Sequence, residues 1–279
     1  MAENGAPKLR LGGMALRNGL LVHGPTSWCV AVRNRDGEIE VTSGRKPVLS
    51  RGRLGRIPLL RGPLRLAEAV AVLPLARLRS RSARLPYEDP RVIVTAAGVA
   101  AASAVARRVA RGHATREAIV GVLGILPALA ALRDRDLAAY HGAEHKAIGA
   151  YESGGQAADE PKEHPRCGSN LLVPMVALSV AGQVAVERAF ERPSAVHRGI
   201  ASLLSTGAAV ELFAFAERNP DAALARAVHG TGHEIQRLIS TREPTPEQLA
   251  VAEAAVEELL RVEGDPADRD AENPRPEHA

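Results

Sequence analysis

The chain has 279 residues, enough for one large domain or two small ones with a substantial core. Apolar residues make up 46% and charged residues 24%, which excludes wholesale disorder, and two cysteines exclude a disulfide-stapled scaffold. Aromatics are only 3%, so a base-stacking platform has little to build on and no nucleic-acid partner is expected.

The charge of +4 is unevenly spread: residues 1–90 carry sixteen Lys/Arg against seven Asp/Glu, and residues 243–279 three against eleven. Residues 1–8 read as a flexible end without the apolar core of a secretory signal. From Leu11 to Ser43 the pattern is β: a short strand at Gly19–His23, an apolar one at Ser27–Arg33, a turn at Asn34–Gly37 and alternation over Glu38–Thr42. A basic, Gly/Pro-rich connector fills 44–62. An amphipathic helix is predicted over Leu64–Arg79, kinked or ended at Pro74, with arginines that suit an anionic membrane surface or plain solvent.

Four apolar runs follow, Val92–Ala106, Ala118–Leu132, Leu171–Val186 and Gly199–Ala216, and Glu211 is the one acidic interruption. They fall short of the roughly 20 residues of a spanning helix, although Arg107 and Arg108 can snorkel and extend the first. Hydropathy alone leaves core helices and membrane spans both open. Between the second and third runs a helix is predicted from Asp134 or Asp136 to Glu152, with Gly154 and Gly155 beyond its end. Ser153–Asn170 reads as a polar loop. Further helices are predicted over Asp221–Ile239, broken at Gly230 and Gly232, and over Thr245–Val262, where Leu249, Ala252, Val256 and Leu259 share a face. Residues 264–279 read as a disordered tail.

The sharpest signal is Tyr140-His-Gly-Ala-Glu-His-Lys146. On a helix, His141, Glu144 and His145 fall within one arc of about 100°. Two imidazoles at i and i+4 suit one metal ion, and Glu144 beside them suits a base acting on bound water, the arrangement of the inverted zincins. The bland alternative is a solvated polar helix face. A third protein ligand is needed. Glu211 is the first candidate, since an ionisable group in an apolar run is expensive. The rivals are His164 and Cys167 in Glu163-His-Pro-Arg-Cys-Gly168, with Glu152 a weaker option. His229 and His233 also stand four apart, but the intervening glycines favour a turn. No phosphate-binding loop or serine-hydrolase elbow occurs.

Gly12-Gly-Met-Ala15, Gly24-Pro25, Ser27-Trp28, Val30–Arg33, Asp36–Ile39, His141–Lys146, Ala150–Glu152, His164–Gly168 and Thr241–Pro244 occur in the order seen in the YqhQ-like proteins, which the chain resembles from about Leu11 to Leu260. That family was catalogued as a domain of unknown function and described as predicted metal-dependent enzymes of bacterial membranes. The resemblance implies several membrane helices and no particular substrate. Met14 and Asn18 stand where relatives usually carry Gln and Glu, and Gly149 where His is frequent.

The expectation is therefore a mainly α protein with a small N-terminal β module and a multi-helix membrane bundle. The units are 1–62 (β module), 63–217 (helical bundle carrying both motifs), 218–263 (C-terminal helical segment) and the tail. The expected function is a metal-dependent hydrolase: Glu144 catalytic, His141, His145, Glu211, His164 and Cys167 as the ligand pool, and zinc as the divalent ion. The alternative is a membrane scaffold or assembly factor with a structural ion. Expected partners are membrane lipid, a further membrane protein and a small-molecule or peptide substrate. With four spans, 1–91, 134–170 and 217–279 share a side. The lysine and arginine bias puts that side, and both termini, in the bacterial cytoplasm.

Overall fold

The computed structural model describes residues 8–50 and 52–264; all of the predicted tail but Gly264 and most of the predicted flexible end lie outside them. Strands β1 (Gly12–Leu16), β2 (Gly19–His23), β3 (Ser27–Arg33) and β4 (Ile39–Arg45) form an antiparallel meander in sequence order. β2 and β3 are apolar along their length because the sheet is covered on both faces. Leu20, Val22, Cys29 and Ala31 point one way, and Leu21, Trp28, Val30 and Val32 the other.

Helix α1 (Arg61–Arg79) covers the second face with Val72 and Ala76. It does not end at Pro74, one of the two outcomes expected there, because its C-terminal half is held down by that packing. The first face is covered by α5 (Arg135–Ser153) and α9 (Pro246–Glu263). Val251, Ala252, Ala255, Val256 and Leu259 of α9 are buried there, close to the predicted face. At the far end of α9 the buried Glu263 carboxylate accepts from the backbone N–H groups of Thr26 (2.9 Å) and Ser27 (2.7 Å), which fastens the helix to the β2–β3 turn.

The remaining elements are α2 (Pro90–Val109), α3 (His113–Leu123), α4 (Leu126–Ala131), α6 (Leu172–Ala189), α7 (Ala195–Arg218) and α8 (Ala223–Ile235). The second apolar run is two helices, parted at Gly124–Ile125. Among the described residues four helical stretches are long and apolar enough to cross a membrane: Pro90–Val109, His113–Ala131, Gly168–Ala189 and Ala195–Arg218. They exceed the predicted runs because each recruits flanking polar residues into the helix. The fold is thus a small sheet-and-helix head joined to a multi-helix membrane bundle, and the chain reads as a multi-pass membrane protein. Ion pairs are among the ties between the two parts. Arg17, in the β1–β2 turn, reaches Asp134 (2.9 Å) and Asp89 (3.4 Å), the N-caps of α5 and α2.

α8 departs from the sequence reading. It is continuous through Gly230 and Gly232, because Gly232 lets Asn170 approach: a Cβ there would stand 1.6 Å from Asn170 Oδ1. The chain then widens into a π turn over Gln236–Ser240, closed by Thr241 N–H donating to Gln236 O at 3.1 Å.

Candidate metal centre

Helix α5 carries the polar motif into the interior. Asp134 caps it, accepting from Asp136 N–H (3.0 Å), and Gly154 closes it in the left-handed conformation. Every residue from Leu137 to Ile148 except His141 is buried. A helix with that polar content is stable inside only if each polar group has a partner.

Lys146 illustrates the rule. Its ammonium donates to the carbonyls of Ala158 (3.1 Å) and Glu160 (2.6 Å) and pairs with Glu243 at 2.8 Å. The Thr241–Pro244 block is therefore structural: Arg242 N–H also donates to Ala138 O at 2.9 Å. These contacts fix the two segments that hold the histidines.

His141 Nδ1 lies 2.8 Å from Ser240 O, and His145 Nδ1 lies 2.6 Å from Lys162 O. A carbonyl only accepts, so both Nδ1 atoms carry the proton and both Nε2 atoms present the lone pair that a cation needs. Carbonyl-anchored imidazoles of this kind are the usual outer support of metal-ligating histidines. The π turn has a reason here, since it is what delivers the Ser240 carbonyl to His141.

The third member is Cys167. Its Sγ is 3.4 Å from His141 Nε2, and one donor atom from each of His141, His145 and Cys167 lies within 4.8 Å of the others. A tetrahedral zinc with N and S ligands separates those atoms by about 3.6 Å, so the trio fits one ion with a coordination position left over. Among the described residues this is the group able to hold a metal ion.

The other predicted ligands are placed elsewhere. His164 is near, its ring 5.7 Å from that of His145, but its Nε2 faces Glu152 at 3.2 Å, and Glu152 also holds Arg166. Its backbone is clasped by the buried Gln236, whose amide accepts from His164 N–H at 2.7 Å and donates to His164 O at 3.2 Å. Glu211 does not join the group. Its two carboxylate oxygens accept from Nε and Nη2 along one edge of the Arg61 guanidinium, 150 positions upstream on α1. A charge in an apolar run had an ion-pair explanation, which only the packing of α1 on α7 reveals. His229 likewise faces Glu217, at 3.6 Å.

Glu144 is 6% exposed and shares a cavity with the trio. Burial pushes its carboxyl up to about 7, with His141 opposing and Cys167 reinforcing the shift. Burial also holds His145 well below the usual imidazole range, aided by His141, so it stays neutral as a ligand must. The Cys167 thiol is raised by burial, with Ser169 N–H at 3.4 Å working against it; a cation at the trio is what would favour the thiolate.

Gly13 of β1 makes the room for Glu144. A Cβ at this position would stand 2.7 Å from the Glu144 carboxyl carbon and Oε1. Gly12-Gly13 had no role of its own in the sequence outside the family resemblance; the signal was a glycine inside a strand, which marks close approach. Lys146 was also missed, although its place in the motif beside His145 pointed to it.

The cavity measures about 620 Å³ and is lined by β1, α5, Cys167–Ser169, the residues around the start of α2, and α4. Comparison with known proteins gives one finding. Residues 90–262 match a family model described as "Protein of unknown function (DUF1385)". No curated protein and no solved structure matches the chain.

Proposed function

The chain belongs to the DUF1385 family, whose model spans both polar motifs and all four candidate spans, and we propose that it is a metal-dependent membrane hydrolase. The observation that carries this reading is the pair of Nδ1-anchored histidines, His141 and His145, meeting Cys167 beside a buried carboxyl. Zinc suits two imidazoles and a thiolate with a fourth position open. When bound, such an ion acidifies a water to near neutral pH and polarises a carbonyl or phosphoryl oxygen.

The residues themselves supply the rest. Ser240 and Lys162 hold the two imidazole rings by their carbonyls, and Lys146 keeps the Lys162 segment in place through Ala158 and Glu160. Glu144, with its carboxyl near 7, both accepts and returns a proton at physiological pH. In the hydrolysis its Oε atoms take a proton from the attacking water and pass it to the departing oxygen or nitrogen. One bond to the water oxygen forms as the bond to the leaving group breaks. The lysine and arginine bias orients the head, the centre and both termini to the cytoplasm, where Cys29 and Cys167 stay reduced. A reporter fused after Ala279 that is active only when exported would contradict this orientation.

The decisive experiment separates ligand from base. Metal content of purified wild type, His141→Ala, His145→Ala and Glu144→Gln is measured alongside complementation of a deletion strain. The two histidine variants lose the metal, Glu144→Gln keeps it, and all three fail to complement. Full complementation by Glu144→Gln with failure of both histidine variants would assign the ion a structural role instead, as in a membrane scaffold.

A further inference from the structure

The walls of the cavity differ in chemistry. His141, Glu144, His145 and Cys167 line one side, whereas Leu73, Val92, Pro127, Ala128, Ala131 and Leu132 line another. Val92 lies in the first turn of the first candidate span, Pro127 to Ala131 form the end of the second, and Gly168 and Ser169, which also border the cavity, begin the third. Three spans therefore terminate around one space. Membrane-spanning helices end at the level of the lipid headgroups, so the residues of α2 and α4 border the cavity from the membrane while α5 and β1 border it from the head.

Volume and hydrogen bonding narrow the occupant. A space of about 620 Å³ lies within the roughly 300–1,000 Å³ typical of small-ligand sites. A helix 10–12 Å across rising 1.5 Å per residue fills it with roughly four residues, about one turn, so a transmembrane helix does not fit. An unwound peptide would bring N–H and C=O groups that an apolar wall leaves unpaired. A hydrocarbon chain carries no such groups.

We infer that this cavity receives the acyl chain of a membrane lipid and presents the polar end of that lipid to the metal centre, so the substrate class is an amphipathic lipid. The inference rests on the proposed hydrolase only for what happens at the polar end; the chain site stands on the cavity alone.

The test uses the full chain in phosphatidylcholine nanodiscs doped with a phosphatidylglycerol that carries a diazirine in its acyl chain, followed by photolysis, peptide mapping and metal analysis of the same samples. Met14 of β1 lines the cavity and belongs to no candidate span, so acyl-chain label on it reports a chain in that space. The expected result is label on Met14 and on Pro127–Leu132 in the wild type. Ala131→Phe, which fills the cavity, lowers the Met14 label by roughly tenfold, the change that about 1.4 kcal/mol produces, while label on the exposed Val94 of α2 is unchanged. Wild-type label confined to outward residues such as Val94 overturns the inference whether or not the variant folds. A peptide recovered in the cavity overturns it too. Metal without Met14 label sinks the lipid site and leaves the metal centre; Met14 label without metal does the reverse.

Discussion

Helices α5 and α2 are nearly equal in length, 19 and 20 residues, and opposite in placement. α5 carries Glu, Lys and two His and is buried over most of its length, whereas α2 is apolar over its whole middle and has no buried residue. In water this is the wrong way round. A bilayer around α2 and its neighbours resolves it: hydrocarbon replaces the missing protein partners, and the polar helix is retained inside with Lys146 and the Nδ1 atoms of both histidines paired. Burial in this molecule reports chemistry, and exposure reports lipid.

The strongest challenge to that contrast is a charge on the exposed helix. Ala100→Arg sits near the middle of α2 on an exposed position. It is expected to lower membrane insertion by about 2.5–3.5 kcal/mol, read as loss of protein from the membrane fraction. A surface helix in water would tolerate the same change within about 0.5 kcal/mol.

The converse change removes a charge from the buried helix. Lys146→Met leaves the carbonyls of Ala158 and Glu160 unpaired and is expected to cost about 1–3 kcal/mol in a thermal melt. Because the same loop supplies the Lys162 carbonyl to His145, metal affinity should fall about 10–100-fold in a competition titration.

Gly13→Ala places a methyl against the Glu144 carboxyl. Complementation should weaken with metal content intact, since a displacement of about 1 Å can cost on the order of 100-fold in rate. The smallest effect at the centre is expected from Glu211→Gln, whose partner is Arg61. Metal content measured by mass spectrometry should be unchanged; loss of the metal would restore Glu211 to the ligand set.

What could be read from residues alone was what is local. Helical periodicity put His141, Glu144 and His145 on one arc, Asp134 and Gly154 bounded their helix, and strand patterns with turn residues marked β2, β3 and β4 but not β1, because caps, turns and periods act within a few positions. The tertiary structure decided the third member of the trio and every support around it. Cys167 lies 26 positions from His141 and the Ser240 carbonyl 99, and Arg61 removes Glu211 from 150 positions away. Pro74 and Gly232 likewise do not end their helices, because packing outweighs a local penalty of about 1–3 kcal/mol. Spacing fixes which side chains share a helix face; which of them share an ion depends on long-range packing, which brings distant carbonyls and counter-charges to the same point and leaves no local trace in the chain.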